Sequence, residues 1–199
     1  FERTNGQWTF EFTGGGSSAG LYSFQSQSGD FSVWLRVYGT GTEYSSVRVH
    51  VPIPSFPRLG FQFAETNLFD QAILEYRIRH YTGSQLYTYI VEVDEYLGKL
   101  YYRNQNGARV EFGSVTSLPG SGIWWTPRKL VVDLTNHAYV RFVTPNATYD
   151  ISSGLPQVAV STIEPYVECR AAIFNGPTSP TNVYIDDILI TTDEPSAVG

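Results

Sequence analysis

The chain runs to 199 residues, 42% hydrophobic and 15% aromatic, and its 13 Lys and Arg against 19 Asp and Glu leave a net charge of −6. A chain of this length can bury a sizeable core as one β-sandwich, and so rich an aromatic complement excludes a disordered segment. The basic residues are scattered rather than gathered in a run, which argues against duplex nucleic acid, and no stretch approaches the ~20 apolar residues of a membrane span.

From the amino end, turn punctuation recurs at Gly14-Gly15-Gly16, Ser28-Gly29-Asp30, Gly39-Thr40-Gly41 and Pro52 to Pro57, with short alternating runs between. Phe31, Val33, Leu35 and Val37 share one face of a predicted strand, and Ser32, Trp34 and Arg36 share the other. Val47-Val49-Val51 and Leu59-Phe61-Phe63 repeat the period of two, and Glu65 to Gln71 has room for a short turn. The next strand puts Glu75, Arg77, Arg79 and Tyr81 on one face and is followed by Tyr87-Tyr89-Val91-Val93. Lys99 to Arg103, with Tyr101 and Arg103 on one face, then turns through Asn106-Gly107 into Arg109 to Phe112. A second hairpin carries Val131-Val132-Asp133-Leu134 through Thr135-Asn136 into Tyr139-Val140-Arg141-Phe142, and Val183-Ile185 marks a closing strand. No window of a dozen residues holds a 3.6-residue apolar stripe. The predicted fold is therefore all-β, a two-sheet antiparallel β-sandwich of jelly-roll type. Residues 1–192 make one domain and 193–199 a C-terminal tail or linker.

Aromatic faces stack on sugar rings while Arg and carboxylates hydrogen-bond hydroxyls. Glu75, Arg77, Arg79, Tyr81, Tyr101 and Arg103 are accordingly the candidate ligand-binding residues. The same pattern also describes aromatics filling a core and charges paired across strands, so both readings stand. Trp8 and Trp125 read as packing residues, Trp34 and Trp124 as exposed platforms. Glu92 and Asp94 alternate on one face as a hydrolytic carboxylate pair would, but Tyr96 occupies the next position, and a strand edge facing water accounts for Glu92, Asp94 and Glu95. His50, His80 and His137 lack a paired metal spacing, no Gly-x-Ser-x-Gly motif occurs, and Cys169 beside Val167 and Ala171 reads as a buried apolar side chain. No catalytic residue is assigned. Strict alternation puts Asp186 on the face of Ile188 and Ile190, where an unpaired carboxylate would be costly and needs a partner. Asn146-Ala147-Thr148 is a glycosylation sequon.

Two parts of the chain resemble known families. Phe1-Glu2, Trp8, Gln27 to Val33 and the closing Val183-Tyr184-Ile185-Asp186-Asp187-Ile188 are similar to the opening and closing segments of jelly-roll carbohydrate-binding modules. Trp125 to Asp133, Tyr139-Val140 and Thr148-Tyr149-Asp150-Ile151 resemble an uncharacterised family of concanavalin A-like domains. The first resemblance implies a structural Ca²⁺ held by Glu2, Asp30 and Asp186, tying the first strand to the last; hydrogen bonds from backbone amides or an Arg would serve Asp186 equally. Alginate-lyase jelly rolls are matched only in the Arg-bearing run Tyr76 to Tyr81. The expected function is a non-catalytic, extracellular carbohydrate-binding or adhesive module whose partner is a polysaccharide or other glycan. The alternatives are a structural protein of a virus, phage or cell-surface assembly, which would bind copies of itself, and a glycan-cleaving enzyme. Neither nucleic acid nor membrane insertion is expected.

Overall fold

Period-two alternation becomes antiparallel strand along most of the chain. The computed structural model describes residues 8–23, 32–38, 42–67, 72–115, 125–174 and 181–195, and among these it contains fifteen strands and no helix. One sheet orders β1 (Trp8–Phe12), β4 (Tyr44–Val51), β14 (Tyr166–Phe174), β6 (Ile73–Tyr81), β7 (Gln85–Asp94), β8 (Lys99–Arg103) and β9 (Arg109–Ser114), with β13 (Gln157–Val160) also paired to β7. The other orders β12 (Thr148–Asp150), β11 (Ala138–Val143), β10 (Thr126–Asp133), β5 (Arg58–Asn67), β15 (Thr181–Thr192), β3 (Ser32–Val37) and β2 (Ser18–Tyr22). The chain crosses between the two sheets repeatedly, as in a jelly roll, and their inner faces bury one continuous core.

The core is aromatic at its centre. Phe63 stacks on Tyr76 with ring centroids 4.0 Å apart, and Phe142 meets the Tyr76 ring edge-on at 5.2 Å. Tyr76 also donates from its hydroxyl to Glu65, whose other carboxylate oxygen is in close contact with Arg128. The pair is buried, with Glu65 2% and Arg128 5% exposed, and Arg128 also lies 3.5 Å from Glu95. Glu65 to Asn67 continue β5 instead of opening the expected turn, because Glu65 has a charged partner inside the sandwich; 68–71 lie outside the described residues. Cys169 is fully buried.

Register shifts occur in β8–β9, β10–β11 and β15–β5, and of the departures from simple alternation two bear on the predicted residues. The β15–β5 register shifts between Asp186 and Leu189, and Asp187 adopts φ 49°, a left-handed conformation that Asp tolerates better than most residues. Ile188 and Ile190 thereby rejoin Val183 and Ile185 on the core side, while Asp186 falls on the outward face with Tyr184. The expected placement of Asp186 beside Ile188 and Ile190 is thus reversed by a bulge that strict alternation does not contain.

The second feature is a fork at β7. Its residues Gln85 to Thr88 pair with β13, and Val91 to Asp94 pair with β8. Between these ladders the Tyr139 hydroxyl, reaching across from the other sheet, accepts the Ile90 N–H at 2.8 Å and donates to the Arg103 carbonyl at 2.8 Å. Backbone groups that the fork would orphan are satisfied by one fully buried side chain.

Beyond Thr192, Glu194 is buried on the second sheet, where it pairs with Lys129 at 2.9 Å and Arg141 at 2.7 Å.

Candidate functional site

The outward face of the first sheet carries the site. In β6 the core takes Leu74, Tyr76, Ile78 and His80, so Glu75, Arg77, Arg79 and Tyr81 point out together. β14 buries Val167, Cys169, Ala171 and Ile173 inward and presents Glu168 and Arg170 outward; β4 likewise presents Arg48 and His50. Antiparallel register then sets these residues side by side. Arg170 lies opposite Arg48 on one flank and Arg77 on the other, and Glu75 lies opposite Glu92. Tyr101 follows Glu92 on β8, and Glu111 follows Tyr101 on β9.

Arginines scattered through the sequence therefore converge: Arg48, Arg77, Arg79, Arg103, Arg109 and Arg170 all sit here. Most are matched to carboxylates. Glu168, only 1% exposed, holds Arg48, Arg79 and His50, each at 3.2 Å. Glu92 holds Arg103 at 2.7 Å and Arg109 at 2.5 Å, and Arg109 also lies 3.5 Å from Asp94. Glu75 pairs with Arg77 at 2.7 Å through Oε2, leaving its buried Oε1 without a hydrogen-bond partner. Glu92 and Asp94 are buried, at 5% and 3% exposure, and do not form the expected water-facing strand edge. The hairpin guanidiniums close over them.

Arg170 differs from its neighbours. It is 6% exposed, its guanidinium lies 4.4 Å from the Tyr44 ring centroid, and among the described residues no carboxylate stands within ion-pair distance of it; its Nε is buried without a partner, as are those of Arg48, Arg77 and Arg79. Burial pulls its pKa below the ordinary guanidinium value; Glu75 opposes this, and Arg77 and Arg79 reinforce it. An arginine stays charged all the same.

Where β8 and β13 part from β7, the face opens into a cleft of about 360 Å³. Glu75, Arg77, Ile90, Glu92, Arg103 and Arg109 are among its walls, with Phe174 and Gln157 also lining it. The rim needs glycine: Gly107 has φ 78°, and a Cβ there would stand 2.7 Å from the Gln157 side-chain nitrogen. Asn104 fixes the turn by accepting the N–H groups of Asn106 and Ala108.

Of the residues predicted to bind ligand, Glu75, Arg77 and Arg103 line the cleft. Arg79, Tyr81 and Tyr101 share its face outside the walls. Tyr81 is stacked on Tyr166 at 4.4 Å and Tyr101 lies under the Arg109 guanidinium at 5.0 Å, so one ring face of each is covered. Arg48, Arg109, Gln157, Glu168 and Arg170 were not singled out as site residues. Alternation in β4 and β14 turns Arg48, Glu168 and Arg170 outward, but only the pairing of β14 with both β4 and β6 brings them to the site; Arg109 arrives through the β8–β9 hairpin and Gln157 through the pairing of β13 with β7. Trp8 is partly buried against the core, and Trp34 is half-buried on the opposite sheet, donating from Nε1 to Asn182 at 3.2 Å. Trp124 lies outside the described residues.

The expected calcium ligands Glu2 and Asp30 also lie outside them. Asp186 accepts the Asp187 N–H at 2.8 Å, and among the described residues no group of three His, Cys, Asp or Glu side chains could hold a metal ion.

No protein-family model matches this chain, and no curated protein matches it. Solved structures do share its fold. The endo-β-1,4-glucuronan lyase of the fungus Trichoderma reesei is similar at 12% identity and a TM-score of 0.60, over 94% of this chain and 92% of that one. The Emp46p carbohydrate recognition domain in its potassium-bound form is similar at 12% identity and 0.51, over 94% of each chain. The binding domain of botulinum neurotoxin DC, solved with rat synaptotagmin II, aligns at 12% identity and 0.50 over 92% of this chain and 42% of that one. These likenesses define the class of the chain as a jelly-roll β-sandwich, and the expected resemblance holds at that level.

Proposed function

We propose that this chain is an extracellular glycan-binding or adhesive module whose ligand lies on the outward face of the first sheet. The observation that carries the reading is the cleft of about 360 Å³ walled by Glu75, Arg77, Glu92, Arg103 and Arg109. Fixed, buried hydrogen-bonding groups beside an apolar patch of Ile90 and Phe174 suit a ring that offers hydroxyls at its edge and C–H groups on its face. The carbohydrate recognition domain named above lends support by shared fold alone. Retention on a panel of immobilised polysaccharides tests the proposal. Arg103→Ala should abolish retention, with only a modest fall in melting temperature because buried Glu92 keeps Arg109 as its partner; wild-type protein retained by no member of the panel would refute the proposal.

One observation favours a second reading, a glycan-cleaving enzyme. Glu75 directs attention because its Oε1 is buried without a partner and it sits across from Glu92, both in the cleft wall. Under this reading Glu75→Gln abolishes product release while polymer retention persists; no product from wild-type protein on any retained polymer excludes it.

A further inference from the structure

We infer that the glycan is acidic and that Arg170 receives a carboxylate of a uronic acid residue; this rests on the glycan-binding reading above. The charges on the face point there. Each neighbouring arginine is within ion-pair distance of a carboxylate: Arg48 and Arg79 with Glu168, Arg77 with Glu75, and Arg103 and Arg109 with Glu92. Among the described residues Arg170 alone of these arginines has no carboxylate within ion-pair distance; its buried Nε has no hydrogen-bond partner, and it stacks on Tyr44.

Its position is only partly compensated in the isolated protein, by the field of Glu75 beyond ion-pair distance. Like charges directly opposite across a ladder repel, and Arg170 faces Arg48 on one side and Arg77 on the other. Packing alone would be served better by a neutral side chain. A bound anion reverses the balance, because the guanidinium fork offers a carboxylate two parallel hydrogen bonds from a site already largely desolvated. Tyr44 fixes the plane of that fork, and Phe174, 6.0 Å from the Tyr44 ring, continues the surface to the cleft that it also lines. A sugar in the cleft and a charged neighbour along the same polymer would thus meet one continuous surface.

The net charge of −6 makes retention on a polyanion by bulk charge unfavourable, so retention reports a local site. The experiment compares gels of polyglucuronate, polygalacturonate and polymannuronate with their carboxyl-reduced counterparts and with a sulfated glucan. Wild-type protein should be retained by at least one polyuronate and about tenfold or more weakly by its reduced form. Arg170→Gln should lose that preference by a similar factor while melting at the same temperature or higher, as removal of an unpaired cation predicts. Arg170→Lys should restore part of it. Equal retention on charged and reduced polymers, undiminished uronate preference in Arg170→Gln, or stronger retention on the sulfated glucan would each overturn the uronate assignment and leave glycan binding standing. Retention on none of these polymers would overturn the uronate assignment, and retention on no member of the wider polysaccharide panel would refute glycan binding as well.

Discussion

At the scale of single residues, opposite charges on one face have opposite expected consequences when removed. Glu168 is enclosed and pairs with Arg48, Arg79 and His50, so Glu168→Gln leaves Arg79 without an ion-pair partner among the described residues and Arg48 with Glu11 alone. A fully buried pair broken this way costs ~3–5 kcal/mol. Both arginines retain 28% side-chain exposure, so water absorbs part of the loss, and about 2 kcal/mol is the expected drop in a urea melt. The histidines set a pH dependence. His80 is buried beside His137, ring centroids 5.6 Å apart, and His137 is stacked on Tyr87. Burial, reinforced by His137, lowers the His80 pKa to about 4. The unfolded chain takes up this proton near pH 6.5, before the folded one does, so the contribution is intact above pH 6.5 and is lost as pH falls toward 4. Urea midpoints should fall by the equivalent of roughly 2–3 kcal/mol over that interval, and His80→Gln should remove most of the dependence.

Among the elements, the fork in β7 and the bulge in β15 are the places where side chains compensate for broken ladders. Tyr139→Phe leaves the Ile90 N–H and the Arg103 carbonyl without their buried partner, at an expected cost of about 2 kcal/mol. Amide hydrogen exchange should show the loss concentrated at Ile90. In the β8–β9 turn, Gly107→Ala adds strain at φ 78° and drives the Gln157 amide away, so a cost of about 1 kcal/mol should come with weaker glycan retention. Asp187→Val at φ 49° should destabilise by about 1–2 kcal/mol in a urea melt, because a branched side chain resists that backbone more than Asp does.

For the whole molecule, the sandwich was legible because apolar residues recur at every second position in β3, β4, β6 and β7, and the face shared by Glu75, Arg77, Arg79 and Tyr81 follows from that alternation alone. The site was legible only in part. Arg170 and Glu168 reach β6 by pairing across more than eighty residues of intervening chain, and local periodicity holds no record of such register. Asp186 was misplaced because a single extra residue resets the alternation behind it. The fork also separates two tasks. β7 and the Tyr139 hydroxyl hold the cleft floor, while its rim comes from the 104–108 turn and from Gln157 at the start of β13, which are far apart in sequence. Each rim segment can lengthen or shorten without disturbing the floor or the other rim. The architecture can therefore admit ligands of different girth through small changes at either segment while the scaffold keeps its stability.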